Sequence, residues 1–99
     1  MLTYAKLHNK INNVGGNMKN ERFKMLIAER LKRIRQEHDD TIVDLARKSG
    51  VSTSTISFYE NGKENMNVDK IEQIIAPYNI SLGNFFSIIY AKMQEKEDH

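Results

Sequence analysis

Apolar residues recur at helical spacing along most of the chain. From Arg22 onward, Phe23, Leu26, Ile27, Leu31 and Ile34 share one face, with Arg30, Lys32, Arg33 and Arg35 set among them. This predicts a first helix that ends near His38, Asp39 and Asp40. Thr41 followed three residues later by Asp44 has the form of a capping box, so a second helix starts there. It runs through Ser49, and Gly50 stops it where the backbone needs a positive φ. Ser52 caps a third helix from Thr53 to about Asn61, closed by Gly62. Asn67 caps a fourth, carrying Val68, Ile71, Ile74 and Ile75. Pro77 must distort or end it, because proline lacks the amide donor and its ring clashes with the preceding turn. Ser81 caps a fifth helix running to about Gln94, and Glu95 to His99 form a charged, frayed tail. No segment alternates as a strand would, so the expected fold is an all-α bundle of five helices.

Residues 1–19 read differently. Asn9, Asn12, Asn13, Gly15, Gly16, Asn17 and Asn20 break any helical period, which predicts a flexible arm before a domain spanning 20–95. Gly15, Gly16 and Asn17 ahead of Met18 are also what a purine-rich ribosome-binding sequence before a start codon would encode. Met18 is on that reading the natural start, and residues 1–17 a translated leader.

The most informative stretch is 42–61, two short helices joined by a tight turn. Ala46 sits where the two helices come closest, and Gly50 where the turn demands positive φ. Leu45, Val51, Ile56 and Tyr59 take the inward positions. This is the arrangement of a DNA-binding helix-turn-helix, in which the second helix enters the major groove. Two helices around a glycine are common, but here the small residue, the glycine and four apolar positions fall in register.

Residues 26–86 resemble the phage-repressor family of helix-turn-helix proteins (Cro/cI-like, or xenobiotic-response-element type). The carriers are Arg35, Thr41, Leu45-Ala46, Gly50-Val51-Ser52, Ser54-Thr55-Ile56-Ser57, Tyr59-Glu60-Asn61-Gly62-Lys63, and Ile80-Ser81-Leu82 before Phe85-Phe86. The last helix is more loosely similar to the controller proteins of restriction–modification systems. The resemblance implies a lambda-repressor-like DNA-binding domain. It puts Ser52, Thr53, Ser54, Thr55 and Ser57 on the outer face of the recognition helix, within reach of base edges or phosphates. It puts Asn61 and Lys63 in a phosphate-gripping loop, and Thr41 at a helix start that holds phosphate. It makes Arg35 and Glu60 an internal ion pair.

Two departures bear on sequence reading. The family commonly has Gln where this chain has Ile42, and Arg or Gln where it has Thr53 and Phe58. The bidentate Arg–guanine and Gln–adenine pairs are therefore missing from this helix. Phe58 has two readings: partial cover by the first helix, or apolar contact with thymine methyls or sugars.

Composition and charge narrow the picture further. Ninety-nine residues make one domain with little room for a catalytic lobe. There is no cysteine, hence no disulfide or thiolate chemistry. His8, His38 and His99 are scattered without metal-ligand spacing, so neither a metal nor a cofactor is expected. The Asp39-Asp40 pair reads as a solvated loop. No nucleophile–base order or phosphate loop appears, which points away from an enzyme. No apolar run reaches membrane-spanning length, and by elimination a cytoplasmic protein is expected. Residues 1–40 carry nine Lys/Arg against five Asp/Glu, whereas 64–99 carry three against six. A basic front and an acidic rear suit a chain that faces a polyanion.

The fifth helix has a wide apolar face. Leu82, Phe85, Phe86, Ile89 and Met93 form one stripe, widened by Ile88 and Ala91. One small core needs only one stripe, so the extra width predicts a dimer surface drawn from Phe85, Phe86, Ile88, Ile89 and Met93. The expected protein is a regulator binding double-stranded DNA as a homodimer at a palindromic operator. Its rivals are an antitoxin-type autoregulator with a toxin as protein partner, and a protein-interaction module on the same scaffold.

Overall fold

A computed structural model describes residues 21–63 and 65–97. The N-terminal arm and the alternative start at Met18 lie outside the described residues. The order is α1 (Glu21–Glu37), α2 (Ile42–Ser49), α3 (Thr53–Glu60), α4 (Val68–Ile75), a 3-10 turn (Ala76–Tyr78) and α5 (Leu82–Glu97). The described residues contain five α-helices and no strand, an all-α fold.

Local chemistry accounts for the boundaries. The Thr41 hydroxyl accepts from the Asp44 amide at 3.0 Å, and the Asp44 carboxylate accepts from the Thr41 amide at 2.9 Å, a complete capping box. Ser52 and Asn67 accept from the amides three residues on at 3.1 Å each, and Ser81 does the same for Asn84. Pro77 falls inside the 3-10 turn, and Asn79 leaves it with a left-handed φ of 58°. Helix α5 continues to Glu97, past the end expected at Gln94.

The core draws on every helix. Phe23, Ile27, Leu31 and Ile34 of α1 meet Leu45 of α2, Ile56 and Tyr59 of α3, Ile71, Ile74 and Ile75 of α4, and Leu82, Phe85, Phe86, Ile89 and Met93 of α5. Phe86 lies 6.3 Å from Phe23 between ring centroids and takes Phe85 edge-on at 5.0 Å. Fully burying each such ring contributes roughly 1.5–3 kcal/mol.

This packing corrects the expected dimer surface. Phe85, Phe86, Ile89 and Met93 are each at most 7% exposed within a single chain, so they belong to its own core. Of the wide apolar face, Ile88, half-buried, and Ala91, exposed, remain outside the core. Among the described residues no single helix is long and apolar enough to cross a membrane.

Candidate nucleic-acid interface

The turn between α2 and α3 is tied down from three sides. Gly50 adopts φ 77° and donates its amide to the Ala46 carbonyl at 2.9 Å. Val51, 3% exposed, plugs the junction, and its amide donates to the Ser49 hydroxyl. From α4, the Gln73 side-chain amide donates to the Ser49 carbonyl at 3.1 Å. Buried Leu45 and Ile56 close the inner faces, so α2 and α3 form one rigid unit.

A buried ion pair fixes the far end of α3 to α1. Arg35 Nε donates to Glu60 Oε2 at 2.8 Å and Nη2 to Oε1 at 2.9 Å, while Nη1 donates to the Asp40 carbonyl at 2.8 Å. The side chains are 11% and 4% exposed. The bond from Glu60 raises the Arg35 pKa above its usual value, outweighing the opposing effect of burial. Beyond Glu60, the Tyr59 hydroxyl accepts from the Asn67 amide at 3.0 Å and ties α3 to the start of α4.

Outward, α3 presents Thr53, Ser54 and Phe58 exposed, with Ser57 half-buried. These four and Ile42, the first residue of α2, line an open groove. Its lining carries hydroxyls, methyls and a ring, but no formal charge. Lys63 stands exposed just past α3, its amide donating to the Phe58 carbonyl at 3.0 Å. The neighbouring cations are engaged: Arg47 with Asp44 at 3.1 Å, and Lys48 with Asp40 at 2.8 Å.

Several residues expected at the interface have local partners. The Ser52 hydroxyl accepts from the Thr55 amide and donates to the Thr55 hydroxyl at 2.9 Å, so both serve the cap of α3. The Asn61 side-chain amide donates back to the Ser57 carbonyl at 2.7 Å and closes the other end. Thr41 is occupied by Asp44, whose carboxyl is held below its usual range by Thr41's amide and hydroxyl and then by Arg47. An ionised carboxylate at the start of α2 opposes a phosphate there, so Thr41 is a capping residue.

One cluster gives no sequence signal. Asp40 accepts from Lys48 and from the Tyr78 hydroxyl, both at 2.8 Å, and His38 stacks on Tyr78 with ring centroids 4.3 Å apart. Asp40 is thus a brace between α1, α2 and the 3-10 turn, and not the solvated loop residue expected. Lys48 and then Tyr78 hold its carboxyl below the usual range; burial and then Asp40 push the Tyr78 phenol up. Among the described residues no group of three His, Cys, Asp or Glu side chains is placed to hold a metal.

Two short helices locked about a left-handed turn, with an exposed second helix braced from behind, define a helix-turn-helix unit. A family model described as helix-turn-helix matches residues 31–85, more than half of the chain. The chain belongs to that family, of the Cro/cI-like, phage-repressor type. It is also 34% identical over 56 residues to antitoxin PezA of Streptococcus pneumoniae serotype 4 (strain ATCC BAA-334 / TIGR4). That match covers 57% of this chain and 35% of the relative's length. No solved structure matches.

Proposed function

We propose that this protein is a transcriptional regulator that binds a palindromic operator as a homodimer, with α3 in the major groove. The observation that carries the reading is the outer face of α3. Thr53, Ser54, Ser57 and Phe58 are held outward by the Arg35–Glu60 pair behind and the capped turn in front. Lys63 flanks that face where a phosphate backbone would run. The half-buried Ile88 and exposed Ala91 of α5 are apolar residues of that helix left open to a second copy.

A salt series with DNA from upstream of the protein's own gene tests this. Affinity should fall steeply with salt as counterions are released, and half-sites should lie about 10 base pairs apart. Lys63→Ala should weaken binding to all sequences and lower the salt slope by about one. Ile88→Glu should yield monomers in sedimentation equilibrium. Equal binding to operator and random DNA would overturn the reading in favour of a protein-interaction module.

The relative named as an antitoxin supports a narrower form, an autoregulator that also binds a toxin. Co-expression with the product of an adjacent gene tests it. A toxic neighbour neutralised by this chain would establish that form.

A further inference from the structure

The groove at the front of α3 is the feature least like a charged reading surface. Thr53 and Ser57, and likewise Ser54 and Phe58, are four residues apart and stack on one helical face. Phe58 is 43% exposed, in a chain whose other three phenylalanines are each at most 1% exposed. Ile42 reaches the same groove from α2, so a ring and a branched aliphatic chain flank the hydroxyls of α3. An exposed phenyl ring on the face of a DNA-reading helix needs an apolar counterpart, and the major groove offers one, the C5-methyl of thymine.

We propose, resting on the DNA-binding reading above, that Phe58 and Ile42 form an apolar cleft that receives thymine methyls. The occupant is duplex DNA rather than a protein, on grounds of charge and continuity. The centre of the face is uncharged, matching base edges, and Lys63 stands at its margin, matching phosphate. The cleft is continuous with the hydroxyls of Thr53, Ser54 and Ser57, which supply hydrogen bonds to the same base edges. Specificity then comes from burying a methyl, which selects A·T over G·C at that position. It does not need the bidentate side chains that α3 lacks.

Deoxyuridine differs from thymidine only by that methyl, so the test is direct. A duplex is selected by the full-length protein from a random-sequence library. Each thymine in it is then replaced in turn by deoxyuridine, and affinity is read by fluorescence anisotropy. One or two positions per half-site should each lose about fourfold, the scale of one buried methyl at about 0.8 kcal/mol. Phe58→Gln should bring the thymine-to-uracil ratio at those positions to about one while keeping the wild-type melting temperature and salt slope. Phe58→Leu, still apolar, should keep most of the ratio, and Ile42→Ser should reduce it at the same positions. Tight binding with equal affinity for thymine and uracil everywhere overturns the cleft and leaves DNA binding standing. An unchanged ratio in Phe58→Gln also overturns it. Failure to enrich any duplex overturns the DNA-binding reading itself.

Discussion

Replacing Arg35 with alanine is expected to damage the fold before it touches any ligand contact. The guanidinium makes three charge-assisted hydrogen bonds, two to the Glu60 carboxylate and one to the Asp40 carbonyl, at 2.8–2.9 Å. With its partner gone, a Glu60 side chain only 4% exposed is left as an uncompensated buried charge. Such a loss costs on the order of 3–5 kcal/mol. For a domain of this size each kcal/mol moves the melting temperature by about 4–8 °C, so the drop should be roughly 12–40 °C. Against a total stability of about 5–15 kcal/mol, the variant sits near the unfolding limit. The double variant Arg35→Met, Glu60→Leu separates the charge from the packing. It removes both ions and keeps apolar volume between α1 and α3, so it should recover most of the loss. Thermal denaturation followed by circular dichroism reads both variants. A melting temperature within a few degrees of wild type for Arg35→Ala would refute the argument. So would a double variant no more stable than the single one, because the penalty would then not lie in the stranded carboxylate.

Two further perturbations probe the scaffold. Asp40 and Asp44 titrate below the ordinary carboxylate value of about 3.9. Their contribution is therefore present above that value and lost as pH falls through the depressed folded values. Melting temperature should fall between pH 5 and pH 2, and Asp40→Asn should show a shallower fall; an identical pH profile would contradict the assigned partners. Gly50→Ala should cost about 1–2 kcal/mol, because φ of 77° is strained for alanine while the nearest atom, Gln73 Nε2, would lie 3.6 Å from the added carbon. Gly50→Asn should cost less, and equal melting temperatures for wild type and Gly50→Ala would refute the strain.

The sequence made the helices legible because their signals are local. Thr41 with Asp44, Ser52, Asn67 and Ser81 mark helix starts within three residues, and the backbone follows each. The apolar period of α1 and the left-handed Gly50 belong to the same kind of signal. What escaped depends on distance. Asp40 finds Lys48 eight residues on and Tyr78 thirty-eight residues on, and no spacing rule joins them. The face of α5 failed for a different reason. Periodicity shows how wide an apolar stripe is, but not which part faces inward. Phe86 reaches Phe23 of α1, so the aromatic pair belongs to this chain's core. Among the candidate interface residues, polarity alone did not show that Thr55 and Asn61 would turn back onto the ends of α3.

These local engagements change how the helix-turn-helix unit must work on a polyanion. Within 42–63 the cations are Arg47, Lys48 and Lys63, and the first two are held by Asp44 and Asp40. Lys63 meets phosphate directly, with exposed Lys32 and Arg33 on α1, whereas Arg47 and Lys48, 70% and 46% exposed, would first exchange a carboxylate for a phosphate. Each neutralised phosphate lowers the salt exponent by about 0.9, so one unit with few such contacts gains little electrostatic affinity. A neutral reading face adds discrimination between bases but no long-range attraction. Pairing two units on one duplex would double both terms and join their weak affinities through a high effective concentration. The small number of cations in this unit is thus a physical argument in favour of the proposed pairing of two copies.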